Sequence, residues 1–289
     1  MSVEPRISNS TGTRDGKAKS ETASAMLLKS RHRTIVIVLL VSIVGGIGVL
    51  LAAQRLSSTP ISRVRIVNRF PHDPNAFTQG LVIADGQLYE GTGQYGRSTL
   101  RRVNIETGEV KQSLSLNREY FGEGICVHGD VIYQLTWKKR RVFLFDRKTF
   151  QFQTALRYAG EGWGITSDGT NLIMSDGSSR IRFMDPETFK EVRRITVLHG
   201  RRRVEDLNEL EYVNGQIWAN IWYNDSLARI DPVTGRVVGW IDMSNLWPQS
   251  QRPSRENVLN GIAYEEATGR ILVTGKNWPQ LFEVALIEN

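Results

Sequence analysis

Five side chains with the potential for chemistry recur at one position of a repeated sequence pattern. The pattern occurs as FTQGL (77–81), FGEGI (121–125), EGWGI (161–165), LNEL (207–210) and LNGI (259–262). The residues at the equivalent position are Gln79, Glu123, Trp163, Asn208 and Asn260, at spacings of 44, 40, 45 and 52 residues. A repeat normally keeps one residue for one packing role. Different residue types at the same position therefore indicate a site to which each repeat contributes one side chain.

A second repeated position adds further candidates. Four residues past the centre of the next apolar strand of each repeat stand Gly93, Trp137, Gly177, Trp222 and Lys276. Both positions lie at the ends of the same hairpins, so we expect them to meet at one mouth. The two sets together supply one acid, one base, three amides and three tryptophans.

This mixture of side chains is suited to proton transfer on a carbonyl compound. Apolar aromatic walls raise the pKa of a lone carboxyl group, and Glu123 is then able to take and give protons near neutral pH. Lys276 and the amides are able to hold a carbonyl oxygen or the charge that develops on it. Taken singly, a tryptophan at a strand end usually packs, and a loop glutamate or a lone lysine is usually solvated. The shared repeat position favours the functional interpretation for the set.

The elements that must position these residues are strands. Each pattern is followed by a turn such as Asp85-Gly86 or Asn214-Gly215, which is a strong hairpin signal because these residues tolerate positive φ. Second and third apolar strands follow in every unit, and a fourth strand follows in the first four units. Four strands in every 40–50 residues predict an all-β fold, a five-bladed β-propeller.

The fifth unit stops after its third strand. The segment Arg63–Val67, just before the first unit, is a candidate for the missing strand. We expect it to complete blade five and to close the propeller, which removes exposed sheet edges. The propeller is therefore assigned to residues 63–289.

The chain before the propeller has a different character. Residues 34–53 form a run of 20 uncharged residues, long enough to span a bilayer as a helix. Lys29, Arg31 and Arg33 precede it, which places the amino terminus in the cytoplasm. We predict a disordered basic tail (1–33), an uncleaved transmembrane signal anchor (34–53), a linker (54–62) and an extracytoplasmic, periplasmic catalytic domain on the inner membrane. A cleavable signal peptide is the alternative.

Charge and composition exclude several classes of function. The net charge is +7, but residues 1–33 hold seven Lys/Arg against three Asp/Glu, so the tail carries +4 of it. The body therefore lacks the basic character of a nucleic-acid binder. The single cysteine, Cys126, excludes an internal disulfide and is expected to be a buried apolar residue. The four histidines show no metal-ligand spacing, and we expect no metal and no cofactor.

Longer stretches of the sequence resemble the glutamine cyclotransferase family, the plant- and bacterial-type glutaminyl-peptide cyclotransferases. The stretches that carry the resemblance are FTQGL (77–81), GQYGRSTLRRVN (93–104), YFGEGI (120–125), QLTWK (134–138), GEGWGIT (160–166), MSDGSS (174–179), LNELEYVNGQIWANIW (207–222), LNGIAY (259–264) and TGKNWP (274–279). The resemblance implies a five-bladed propeller without catalytic zinc. It also implies conversion of the N-terminal glutamine of a peptide or protein to pyroglutamate, with release of ammonia.

The resemblance assigns roles by motif. Glu123 matches the family's catalytic acid. Pocket positions of the family fall on Phe77, Gln79, Phe121, Trp137, Trp163, Asn208, Trp222 and Lys276. Asn260 is a candidate from its repeat position alone.

The implied reaction is an intramolecular acyl transfer, in which the substrate's α-amine attacks its own γ-carboxamide. Glu123 would move the proton from the amine to the leaving nitrogen. Lys276 and Asn208 would stabilise the oxyanion, Gln79 would orient the substrate, and the tryptophans would exclude water. The expected partners are peptides or proteins with N-terminal glutamine, and the expected state is a monomer.

Two other functions remain open. Glu123, Asn208 and Asn260 are possible ligands for calcium in a propeller lactonase or other hydrolase, although the nearby Lys276 disfavours a cation. A non-catalytic, membrane-anchored propeller that binds peptides or sugars with its tryptophans is the second alternative.

Overall fold

The computed structural model describes residues 59–287, and this range is almost entirely β-structure. It contains 22 strands and one short 3-10 helix, Gln249–Gln251. The all-β prediction is confirmed. The predicted tail (1–33), the predicted anchor (34–53) and most of the predicted linker lie outside the described residues. Within residues 59–287, no helix has the length and apolarity needed to cross a membrane.

Strand β1 begins two residues before the predicted start of the domain and covers Ile61–Pro71. The next strands form three antiparallel sheets, each of four strands in chain order. The first sheet contains β2 (Thr78–Ala84), β3 (Gln87–Thr92), β4 (Thr99–Val103) and β5 (Val110–Ser115). The second contains β6 (Gly122–His128), β7 (Val131–Thr136), β8 (Arg141–Asp146) and β9 (Phe152–Arg157). The third contains β10 (Ile165–Ser167), β11 (Leu172–Ser175), β12 (Arg180–Met184) and β13 (Glu191–Thr196).

The remaining strands form a two-stranded hairpin and one larger sheet. The hairpin is β14 (Leu198–His199) with β15 (Arg202–Arg203). The larger sheet contains β1 together with seven later strands. These are β16 (Leu207–Val213), β17 (Gln216–Ile221), β18 (Ser226–Ile230), β19 (Val237–Asp242), β20 (Leu259–Glu265), β21 (Arg270–Gly275) and β22 (Gln280–Ile287). Its eight strands follow the order β16-β17-β18-β19-β1-β22-β21-β20.

Strand β1 joins the two halves of this larger sheet. It pairs antiparallel with β22, from Arg63 opposite Ile287 to Pro71 opposite Gln280. Its first three residues also pair in parallel with β19. The prediction that residues 63–67 supply the strand missing from the last unit is confirmed, and the described chain thus contains five groups of four strands.

The first strands of the five groups contact one another in a closed cycle, β2 with β6, β6 with β10, β10 with β16, β16 with β20, and β20 with β2. Glycines of the repeated pattern allow this close approach. A Cβ on Gly80 would collide with the backbone of Ile125, and one on Gly164 would collide with the backbone of Asn208. The glycines are therefore explained by strand spacing, while the variable residues beside them are free to serve a site.

The apolar core consists of clusters between neighbouring groups. One cluster, for example, joins the first and last groups through Phe70, Leu81, Leu272 and Leu281. Four further clusters lie between the other pairs of adjacent groups. Cys126 belongs to one of them and is buried, as predicted. These clusters fix the positions of the groups relative to one another. They therefore also fix the first strand of each group, called the inner strand below.

Candidate active site

A cavity of about 250 Å³ lies at one end of the five inner strands. All but one of its side chains come from the start of the first strand of a group, or the residues just before it, or from the residue just after the second strand; the exception is Glu256. These two points meet at the same end because the two strands are antiparallel. The lining residues are Phe77, Gln79, Phe121, Glu123, Trp137, Trp163, Asn208, Trp222, Glu256 and Lys276.

Nine of the ten predicted site residues therefore lie together around one cavity. The exception is Asn260, which is fully buried and does not line it. Its amide nitrogen donates to the backbone oxygen of Thr78 at 2.9 Å and faces Oε1 of Gln79 at 3.5 Å. Asn260 thus contacts a residue of the cavity rather than the cavity itself.

Glu123 is a buried carboxylic acid on strand β6, only 5% exposed. Within residues 59–287, its carboxyl group has no hydrogen-bond partner. Burial raises the pKa of Glu123 well above its ordinary value, Lys276 opposes this rise, and Glu161 adds to it. A carboxyl group in this state holds a proton at a higher pH than a solvated one and is able to pass it to a bound molecule.

Lys276 lines the same cavity, directly after strand β21, and is also 5% exposed. Its ammonium nitrogen is 4.9 Å from the ring centre of Phe77 and 5.9 Å from that of Trp222. Burial lowers the pKa of Lys276, whereas Glu123 and Glu256 raise it. Burial therefore shifts the pKa of the acid and of the base towards each other, an arrangement that is frequent where protons are transferred.

Aromatic rings form most of the cavity wall. Phe121 contacts both Phe77 and Trp137 edge to face, with ring centres 6.3 and 5.6 Å apart. Trp163 meets Trp222 edge to face at 5.4 Å. The wall displaces water from the space in front of Glu123 and thereby strengthens every charge interaction there.

One carboxylate outside the cavity lining holds two of these rings. Oε2 of Glu161 accepts hydrogen bonds from the indole nitrogens of Trp137 at 2.7 Å and Trp163 at 3.1 Å. Arg182 in turn donates to the backbone oxygens of Ala159 and Glu161, at 2.6 and 3.0 Å. The loop that carries Glu161 is therefore fixed, and the two indoles are fixed with it.

A larger cavity of about 790 Å³ lies among the hairpin turns that follow the first strands. Its most buried acid is Glu211, which accepts hydrogen bonds from the backbone of Tyr264 at 2.8 Å and from Thr166 at 3.0 Å. Burial raises the pKa of Glu211 to about 8. Both oxygens of this carboxyl group are engaged, and none of the predicted site residues lies there. The smaller, aromatic cavity is the better candidate for catalysis.

No group of three or more His, Cys, Asp or Glu side chains in residues 59–287 is placed to hold a metal ion. The arrangement around Glu123 is instead that of an acid–base pair in an aromatic cavity with amide side chains at its edge.

Comparison with known proteins identifies the family of the chain. The family model described as glutamine cyclotransferase matches residues 39–286. The chain belongs to the glutamine cyclotransferase family. It is 40% identical over 230 residues to the glutaminyl-peptide cyclotransferase of Arabidopsis thaliana, a match that covers 78% of this chain and 72% of the relative.

A solved structure is also similar. The crystal structure of Myxococcus xanthus glutaminyl cyclase superposes with a TM-score of 0.75 at 40% sequence identity. The match covers 79% of this chain and 98% of that chain. The similarity thus extends over nearly the whole of the solved protein.

Two acidic residues of this family member were not among the predicted site residues. Glu161 occupies the same place in the repeated pattern as Phe77 and Phe121, so the repeat contained a signal for it. Glu256 lies between β19 and β20, in a segment without a counterpart in the other units. The sequence repeat therefore gave no indication that Glu256 belongs to the site.

Proposed function

We propose that the protein is a glutaminyl-peptide cyclotransferase, which converts the N-terminal glutamine of peptides or proteins to pyroglutamate and releases ammonia. The observation that carries this proposal is the buried Glu123, which lines an aromatic cavity together with Lys276 in a chain of the glutamine cyclotransferase family. The reaction needs a proton carrier and a stabiliser of negative charge in a site from which water is excluded.

The substrate supplies its own nucleophile. The α-amine attacks the carbonyl carbon (Cδ) of the γ-carboxamide of the same residue, so the enzyme needs only to fold the side chain back into the geometry of attack. The C–N bond of the new ring forms as the γ-carbonyl becomes an oxyanion. The amine must be neutral when it attacks, and the leaving nitrogen must gain a proton. A single proton, which Glu123 accepts from the amine and later donates to the leaving nitrogen, meets both requirements.

Glu123 takes the proton from the attacking nitrogen and delivers it to the departing one, which leaves as ammonia. Lys276 and Asn208 lie at the cavity and stabilise the oxyanion. Gln79 orients the substrate, and its Oε1 accepts a hydrogen bond of 3.5 Å from the amide nitrogen of Asn260. Trp137, Trp163 and Trp222 exclude the water that would otherwise hydrolyse the amide.

We further propose that the five groups of strands are the blades of a five-bladed β-propeller, with the protein acting as a monomer. The closed cycle of inner strands and the pairing of β1 with β22 support this architecture. The cavity then lies at one mouth of the central channel, where every blade is able to contribute a side chain.

Ammonia release from a Gln-initiated peptide is the test of the proposed activity. The full-length protein in detergent should release one ammonia per peptide and leave a product 17 mass units lighter, about the mass of the ammonia lost when an amine attacks a carboxamide. The same peptide with an acetylated amine should give none, because it has lost the nucleophile. A coupled ammonia assay with mass spectrometry measures both.

The same assay separates the alternatives. Activity that is unchanged by a chelator agrees with the proposed mechanism. Chelator-sensitive hydrolysis of lactones, without ammonia release from the peptide, would instead identify a calcium-dependent hydrolase. Binding of the peptide without turnover would identify a non-catalytic binding protein.

We also propose that residues 34–53 anchor the enzyme in the inner membrane, with the catalytic domain on the periplasmic side. The uncharged run and the three basic residues before it support this topology. The intact protein should stay in the membrane fraction after alkaline carbonate washing, and protease added to spheroplasts should degrade its catalytic domain. A variant without residues 34–53 is the control. A soluble product that begins shortly after Ala53 would show a cleaved signal peptide instead.

A further inference from the structure

The rim of the catalytic cavity carries a carboxylate that the reaction described above does not use. Glu256 lines the cavity but is an exposed residue, unlike Glu123. Its Oε1 accepts a hydrogen bond from the hydroxyl of Tyr223 at 2.6 Å, and within residues 59–287 the carboxylate receives no other hydrogen bond. The second oxygen therefore remains free to meet a ligand at the mouth.

The position of Glu256 is fixed by the cavity wall. The ring of Tyr223 stacks on that of Trp222, with ring centres 4.5 Å apart and planes 23° from parallel. Tyr223 has a φ of 62°, which is rare for a bulky residue and is retained only where the surroundings enforce it. The wall thus orients Tyr223, and Tyr223 orients the carboxylate.

A third cavity, of about 510 Å³, lies beside this pair. It shares Tyr223 with the rim and is otherwise lined by residues from the segment before β20, including Arg252 and Arg255 but not Glu256. Arg252 forms an ion pair with Asp225, in which Nη2 and Oδ1 are 2.9 Å apart. The guanidinium of Arg255 lies 4.3 Å from the ring centre of Tyr223 and does not line the catalytic cavity. Of the charged residues that line the catalytic cavity in the described part of the chain, Glu256 is the exposed one, whereas Glu123 and Lys276 are buried.

A peptide whose N-terminal glutamine occupies the catalytic cavity must continue outward across its rim. We propose that Glu256 and Tyr223 form the subsite for the residue that follows the glutamine, and that this subsite favours a cationic side chain. The proposal rests on the proposed function. The expected preference is modest, about two- to fivefold in kcat/KM for each change of one charge, because the carboxylate is exposed and screened by water.

The test compares three peptides that differ only at the second residue, Gln-Lys-Ala-Ala, Gln-Ala-Ala-Ala and Gln-Glu-Ala-Ala, each amidated at its carboxyl terminus. The wild-type protein should prefer them in that order. Glu256→Gln should bring the Lys/Glu ratio of kcat/KM close to one, and Glu256→Lys should reverse it. The wild-type ratio should also fall at high salt, since screening weakens an exposed pair.

Glu266→Gln is the matched control, because Glu266 is an equally exposed glutamate that lines the cavity among the hairpin turns instead. It makes the same change of net charge and should leave the ratio unchanged. Glu256 also raises the pKa of Lys276, but that influence is common to all three peptides and cancels in the ratio.

The outcomes separate the two proposals. If the wild-type protein turns over all three peptides and Glu256→Gln leaves the ratio as it was, the subsite is wrong and the cyclotransferase function stands. If Glu266→Gln changes the ratio as much as Glu256→Gln does, the preference arises from net charge and the subsite is again wrong. If no peptide releases ammonia, the proposed function itself is wrong.

Discussion

Replacement of Glu123 by glutamine should lower kcat by about 10²–10⁴-fold, the range that a positioned general acid–base group contributes. Glutamine keeps the size of the side chain but carries no proton that it is able to exchange at neutral pH. Burial disfavours the charged form of Glu123, so the wild-type carboxyl group does not stabilise the fold through its charge. Replacing it by a neutral amide of the same size should therefore not lower the melting temperature. Steady-state kinetics of ammonia release and a thermal unfolding curve measure the two effects.

Glu119→Gln is the control for this variant. Glu119 lies four residues earlier, is exposed and pairs only with Lys139 in the described part of the chain, at 3.0 Å. Its replacement should leave kcat within about twofold of wild type, since exposed ion pairs contribute little. Near wild-type turnover by Glu123→Gln would remove Glu123 from the role of proton carrier.

Lys276→Met should lower kcat by about 10²–10³-fold, the loss seen when one stabilising donor of an oxyanion is removed. The ammonium of Lys276 now lies over the rings of Phe77 and Trp222, and the thioether of methionine also packs favourably against aromatic rings. The variant also removes the positive charge that opposes the rise in the pKa of Glu123. The pKa of Glu123 therefore rises further, and the limb of the kcat/KM–pH profile that reports Glu123 should move to higher pH.

The companion variant is Glu161→Gln, which should move the same limb in the opposite direction. Glu161 contributes negative charge that raises the pKa of Glu123, so its neutralisation lowers that pKa. The amide oxygen of glutamine is still able to accept the indole hydrogen bonds of Trp137 and Trp163. Identical profiles for wild type and both variants, or shifts in the same direction, would contradict the electrostatic coupling described here.

Much of this site was predictable because the repeat separates two kinds of position. Gly80 and Gly164 are required wherever inner strands approach too closely for a Cβ. The residues beside them have no such constraint, so the variation from Gln79 to Glu123 to Trp163 revealed the cavity. Phe77 and Phe121 were identified only through the resemblance, because a phenylalanine in a repeated pattern usually belongs to the core.

The positions of Asn260 and Glu256 depend on information that a sequence repeat does not contain. Asn260 occupies the right position, but its amide turns to the backbone of Thr78 and to Gln79, a choice that only the packed neighbours determine. Glu256 reaches the rim from an irregular segment, and its place there depends on the stacking of Tyr223 on Trp222. Such contacts follow from three-dimensional proximity and leave no periodic signal in the sequence.

The junction between β1 and β22 has a consequence for the order in which this molecule is made. Asn68 donates a hydrogen bond to Glu283, 215 residues away in sequence, at the point where the two strands meet. Contacts of such long range form late and slowly, because the entropy of closing the loop must be lost before the contact is gained. Lys276 belongs to the same closing group as β22, whereas Glu123 belongs to the second. The acid and the base of the proposed reaction are thus held apart in a growing chain until the closing group is made, and we expect catalytic competence to mark the completion of folding.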